Sequence, residues 1–343
     1  MPHGHSTSDP VELRSVLRWV TEQQGSKWAP RLELVCAEHP DPQRGVSQFE
    51  VIGLAGCAAQ VAPHELLELL VAGAHSVTIR LDQCARSARV QDNFSHLTEL
   101  FAATGMTSLR LSTTPPKAKR RRTLLDSARM PVSRRRLLTL GLSGNGDSSP
   151  GPPTPDLSHS DPQREAVALR YLMSQHLKNN SEHKEDIIAA LTALDSPAVK
   201  LAAPGCVACN VCVRTCTSDA LRLNHSGPPG TLTVSTLSQR PALCDGCNFC
   251  VSACPKDVLS IAGTWDWATT LFPPNSPLGQ EHVQHQEVSA PVVSLTTATC
   301  ERCNTRFPST EATSLCQVCS YRRKNPFAST MPPGFRPPPS AAG

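Results

Sequence analysis

Large aromatic side chains are scarce in this sequence: Phe, Trp and Tyr together make up 4% of 343 residues. A chain so poor in core-forming rings does not fill its length with one packed body, and 31 prolines point to segments that stay outside any core. Single cores stop growing near ~250–300 residues, so two or three small modules are expected. No apolar run approaches the ~18–20 residues of a membrane span. Residues 1–10 lack the basic start and apolar stretch that direct export, and the expectation is a soluble, cytoplasmic protein. No Gly-rich phosphate loop, flavin signature or acid–base constellation occurs, so independent catalysis has no residues to carry it. The formal net charge of +4 is too small and too local for a protein that coats nucleic acid.

What is plentiful is cysteine. Of fifteen, twelve fall in C-x-x-C-type groups, the spacing of metal ligands rather than of a secreted disulfide framework. Reduced thiols agree with a cytoplasmic setting.

The apolar pattern divides the chain into eight parts. After a disordered start (1–10), a helix from Val11 to Gly25 carries Leu13, Val16, Leu17 and Val20 on one face. Short apolar runs at Leu32–Cys36, Val51–Ala55, Val77–Leu81 and Leu109–Leu111 alternate with helical patterns at His64–Ala74 and Phe94–Thr104. Such alternation gives a small α/β domain over 11–114 with a largely parallel sheet. Residues 115–163 combine a tract of nine Lys or Arg between Pro115 and Arg136 with a Pro-rich linker. A helical hairpin (164–197), with the stripe Ile187, Ile188, Leu191 and Leu194, is expected to pack on the module C-terminal to it. Then come that cysteine-rich module (198–265), a linker (266–295), a second cysteine segment (296–325) and a Pro-rich tail (326–343).

Cys206, Cys209, Cys212 and Cys216 are spaced C-x2-C-x2-C-x3-C, and Cys244, Cys247, Cys250 and Cys254 repeat that spacing, the second time followed by Pro255. Three thiolates on one tight loop reach three irons of a cubane, and a more distant fourth closes the remaining corner. Zinc sites instead use pairs of C-x-x-C. The segment resembles a bacterial two-cluster [4Fe-4S] ferredoxin, an α+β module. The resemblance implies that Cys206, Cys209, Cys212 and Cys254 hold one cluster, and Cys244, Cys247, Cys250 and Cys216 the other. It further implies one-electron transfer between close clusters. Two departures stand out: Thr217 occupies the place of a proline, and 27 residues separate Cys216 from Cys244. The extra length reads as a hairpin, Leu221–Asn224 and Thr231–Thr236 around Gly227, Pro228, Pro229 and Gly230.

Cys300, Cys303, Cys316 and Cys319 form two C-x2-C pairs with twelve residues between them, which suits four thiolates around one tetrahedral zinc. The segment resembles a zinc ribbon, with Arg302, Arg306, Arg322, Arg323 and Lys324 beside it. A rubredoxin-like iron site would use the same four thiolates, but the segment is short for a rubredoxin domain, and zinc is expected there in place of a hydrophobic core.

Val51–Gly56 followed by Cys57, then Ala62–Gly73 and Val77–Cys84, resembles the small α/β domain of the methyl-viologen-reducing hydrogenase delta subunit. The resemblance rests on Cys36, Cys57, Ala72-Gly73-Ala74 and Cys84. It implies a [2Fe-2S] cluster, which needs four thiolates, and this domain has three. Cys36, Cys57 and Cys84 either bind a cluster with His39 or an aspartate as fourth ligand, or are small core residues.

The whole is expected to be an iron–sulfur electron-transfer protein with two [4Fe-4S] clusters and one zinc. It would relay single electrons as a subunit or partner of a dehydrogenase- or hydrogenase-like catalytic protein. The competing expectation is a redox-sensing regulator that binds nucleic acid through the ribbon and the basic tract; salt-dependent binding that changes with cluster oxidation distinguishes it.

Overall fold

Strand-forming runs separated by helical stretches build the first body. In the structure, a computed structural model, residues 13–23, 29–44, 48–116, 121–131, 157, 160–227, 232–272, 289–311 and 314–325 are described. The expected disordered start, most of the Pro-rich linker, the middle of the 266–295 connection, the hairpin tip at 228–231 and the tail lie outside them. The chain divides into two units, Met1–Pro197 with Trp265–Gln286, and Ala198–Thr264 with Glu287–Gly343.

The first unit opens with α1 (Arg14–Glu22), which buries Val16 and Val20, one helical turn apart. Then come β1 (Arg31–Val35), β2 (Glu50–Gly53), α2 (Pro63–Val71), β3 (Ser76–Arg80), α3 (Ser87–Ala103), β4 (Leu109–Ser112) and β5 (Leu124–Asp126). All five strands are parallel, in the order β4-β3-β1-β2-β5. Leu32, Leu34, Ile52, Val77 and Ile79 are fully buried, as a parallel sheet covered on its faces requires. The α/β domain expected over 11–114 is therefore longer than its sequence pattern: β5 comes from within the basic tract and adds an edge strand next to β2.

α4 (Asp161–Asn179) and α5 (Lys184–Ala193) complete this body. Pro162 stands in the first turn of α4, and Gln163 Oε1 accepts the Ser160 N–H at 3.0 Å, a side chain reaching back to satisfy an unpaired donor. This helical pair is expected to pack on the cysteine-rich module after it; it packs instead on the parallel-sheet segment before it and on the later stretch Trp267–Leu271. Leu169, Met173, Leu177, Ile187 and Leu191 join the core of the parallel sheet. The reason lies in α2, where His64, Leu66, Leu67, Glu68, Leu69, Leu70 and Val71 are all buried. A helix apolar on nearly all sides needs a second cover. α4 lies against α2, and Arg164 clasps Glu68 through two hydrogen bonds of 2.8 and 2.7 Å.

The second unit holds most of β6 (Asp195–Ala202), then α6 (Val211–Thr215), β7 (Leu221–Ser226), β8 (Thr233–Gln239), α7 (Phe249–Ser252) and most of β9 (Ser260–Asp266). β6 and β9 form a two-stranded sheet. β7 and β8 form the expected antiparallel hairpin, two to three residues longer at its C-terminal ends. Beyond β9 the chain returns to the first unit for α8 (Trp267–Leu271), which sends Trp267 and Leu271 into that core. It then re-enters the second unit as β10 (Ala290–Thr299), β11 (Arg306–Pro308) and α9 (Gln317–Lys324). β10 pairs antiparallel with β8, and β11 with β10, giving the sheet β11-β10-β8-β7. The segments expected as separate modules at 198–265 and 296–325 thus share one sheet.

Candidate metal centres

The two cysteine runs fold alike. α6 and α7 each start after an asparagine in the left-handed region, Asn210 at φ +63° and Asn248 at +62°. Two residues earlier stand Ala208 (+55°) and Gly246 (+73°), and after each run Asp219 (+54°) and Asp257 (+52°). Asn and Asp tolerate this conformation because their short polar side chains bond locally. The turns curl the backbone so that amides face sulfur: Ala208 N–H donates to Cys206 Sγ at 3.4 Å and Ala220 N–H to Cys216 Sγ at 3.3 Å. Arg240, buried between β8 and the second run, donates through its side chain to the Asp219 carbonyl and through its backbone to that of Ala220. It fixes the exit of the first run to the entry of the second.

A cavity beside α6 is lined by Cys206, Cys209, Cys212 and Cys254, with Ala203 and Leu237 among its apolar wall. Burial, then the neighbouring Cys206 and Cys209 and, more weakly, Cys254, push the Cys212 thiol up to about 11. Cys250 is raised to about 11 by burial and then by Cys216, Cys244, Cys212 and Cys247. The fourth cysteine of the second run, Cys254, shares a cavity with the first three of the first run. For Cys254, burial is outweighed by the backbone N–H groups of Lys256, Val258, Leu259 and Asp257, and its thiol is lowered. Amides turned toward sulfur, an apolar wall and four converging thiols suit an iron–sulfur cluster, whose sulfurs accept hydrogen bonds.

Cys300, Cys303, Cys316 and Cys319 meet in the second unit, all sulfurs within 4.8 Å of one another. Cys300 comes directly after β10, the turn before β11 carries Cys303, and Cys316 caps α9, where its Sγ accepts the Cys319 N–H. The second pair thus opens a helix rather than a second hairpin. Cys303 and Cys316 sulfurs are 3.8 Å apart, the separation of two ligands placed about 2.3 Å from one tetrahedral ion. The backbone N–H of Cys316 leads in drawing Cys300 down to about 6, whereas burial pushes Cys319 up to about 12. A metal that binds all four must displace the remaining protons.

In the first unit Cys36, Cys57 and Cys84 also converge, their sulfurs all within 4.8 Å. His39 does not join them as a ligand: its Nδ1 accepts the Asp41 N–H at 3.1 Å, and its Nε2 faces Arg80 Nη2 at 3.3 Å and Asp82 Oδ2 at 3.4 Å. The buried Arg80–Asp82–His39 cluster, like Arg240, was not foreseen; isolated Arg, Asp and His carry no spacing signal.

Fold and thiol arrangement together define the class of the central segment: a ferredoxin-like iron–sulfur module with an electron-transfer role. Residues 205–258, which contain all eight cysteines of the two runs, match the family model of the 4Fe-4S dicluster domain. No curated protein matches the chain. Among the described residues, no helix is long and apolar enough to cross a membrane.

Proposed function

We propose that the chain is a cytoplasmic electron-transfer protein that carries two [4Fe-4S] clusters. Cys206, Cys209, Cys212 and Cys254 hold one, and Cys244, Cys247, Cys250 and Cys216 the other. Bound there, the clusters supply reversible one-electron chemistry. The observation that supports this reading is the place of Cys254 in the cavity lined by Cys206, Cys209 and Cys212. The protein's own part is to supply thiolates, turn amides toward sulfur, and keep water from the apolar side of the cavity. Arg240 keeps the two runs in register. Cys247 is exposed and Phe249 beside it is 56% exposed, so the second run reaches the surface, where a redox partner can approach.

Zinc in the Cys300–Cys319 quartet would be structural. Among the described residues, Phe307, Leu315 and Val318 pack against the cysteines, too little apolar surface to hold the segment without a metal. The N-terminal parallel-sheet unit, with its resemblance to a hydrogenase delta subunit, would dock a dehydrogenase- or hydrogenase-like catalytic protein.

Anaerobic purification followed by iron, sulfide and zinc analysis and electron paramagnetic resonance of the reduced protein tests the reading. About eight irons per chain and two interacting spins are expected; four irons or fewer would overturn the two-cluster assignment.

A further inference from the structure

We infer that Cys36, Cys57 and Cys84 form a further metal site, which binds one thiophilic ion, zinc(II) or copper(I), on three thiolates with a fourth position open. This site is independent of the electron-transfer module.

The three cysteines leave the C-terminal ends of three adjacent strands, β1 at the centre with β2 and β3 on either side. The chain order reverses direction about β1, and the carboxyl edge at such a reversal is where open α/β sheets bind ligands. Sequence separation hides this meeting; the parallel register creates it. Three sulfurs all within 4.8 Å suit a single ion, since thiolates about 2.3 Å from one metal stand roughly 3.8–4.0 Å apart. A two-iron cluster would instead require four thiolates divided between two irons.

The surroundings hold this arrangement in place. Arg80 is 1% exposed, and a buried guanidinium persists only when fully engaged. It grips Asp82 at 3.1 and 3.0 Å and donates to the carbonyls of Asp41, Pro42 and Arg44. One residue thus pins both the turn after Cys36 and the turn before Cys84. Gln83, next to Cys84, is held at φ +64°, a conformation that non-glycine residues seldom adopt. Ala58 N–H donates to Cys36 Sγ at 3.2 Å, and Gln60 Oε1 accepts the Cys57 N–H at 3.0 Å. His39 is turned away into the Arg80–Asp82 cluster. All three cysteines are half-buried, which leaves the fourth position to water or an external thiolate. Soft thiolate sets of this kind select zinc or copper(I).

The test uses the full chain purified anaerobically, with and without Cys36→Ser/Cys57→Ser/Cys84→Ser. The substituted chain is expected to lose about one equivalent of zinc or copper while keeping its iron. Unchanged zinc and copper would overturn the proposal, and so would a loss of iron, which would indicate a cluster. A second measurement needs no substitution: iodoacetamide labelling, mapped by mass spectrometry before and after EDTA or bathocuproine disulfonate. Labelling of all three cysteines that rises after one chelator supports the site and identifies the ion. Labelling unaffected by both chelators refutes it.

Discussion

At the scale of single residues, backbone strain in this protein sits beside sulfur. Among the described residues, the non-glycine positions with positive φ are Gln83, Ala208, Asn210, Asp219, Asn248, Asp257 and Asn304, and each lies within three positions of a cysteine in one of the converging groups. Such strain persists where the surroundings determine it, and it gathers at functional sites. The two runs differ at one informative pair: Ala208 occupies the turn position that Gly246 fills in the second run. Ala208→Gly is therefore expected to stabilise the protein by about 0.5–1 kcal/mol, and Gly246→Ala to destabilise it by a similar amount. Thermal unfolding of the cluster-loaded protein under anaerobic conditions reads both; shifts of the same sign would break the equivalence of the two turns. The spacing of the twelve clustered cysteines was legible because their ligands come from short segments. The convergence of Cys36, Cys57 and Cys84 was not, since it depends on the order and register of three strands.

Among the elements, the apolar runs placed β1 to β4 to within two residues, because each strand carries two or three Val, Ile or Leu within four or five positions. β5 escaped because Leu124–Asp126 is three residues long and lies among basic residues, and only its partner β2 makes it a strand. The packing of α4 on α2 has a titratable seam. His64 is buried, and burial first, then Arg164, lower its pKa against the opposing charges of Asp161, Glu68 and Glu165. An unfolded histidine titrates near ~6.5; the folded one binds its proton at lower pH. Its contribution is present above ~6.5 and is lost as pH falls toward the depressed native value. Pulse proteolysis of the first unit at pH 7.5 and 5.5 should show the native protein weakening at the lower pH. His64→Gln should show a flatter response, and an equal pH dependence in both proteins would remove His64 as the source.

For the whole molecule, stability is shared unequally between cores and metals. The first unit has an extensive apolar core running from Leu13 to Leu271, whereas among the described residues the Cys300–Cys319 segment has three apolar neighbours around its sulfurs. Chelation with EDTA is expected to raise hydrogen exchange across residues 300–325 and to leave β7 and β8 protected, since their pairing does not pass through the quartet. Equal loss of protection in β7, β8 and the quartet would contradict that division. The sequence pattern did not reveal that the segments at 198–265 and 296–325 are joined in one sheet. Strand pairing between β8 and β10 joins residues roughly sixty positions apart, and such long-range partners leave no local mark.

The return of the chain through α8 has a consequence for biosynthesis. Trp267 and Leu271 are 4% and 1% exposed in the first unit's core, yet they are translated after all eight cysteines of the iron–sulfur module. At about 5–20 residues per second, the ribosome adds both cysteine runs before the older part of the chain can close its hydrophobic interior. Cofactor insertion and completion of the N-terminal fold therefore overlap in time, and a nascent chain stalled before Trp267 would offer open thiols and an unfinished core together.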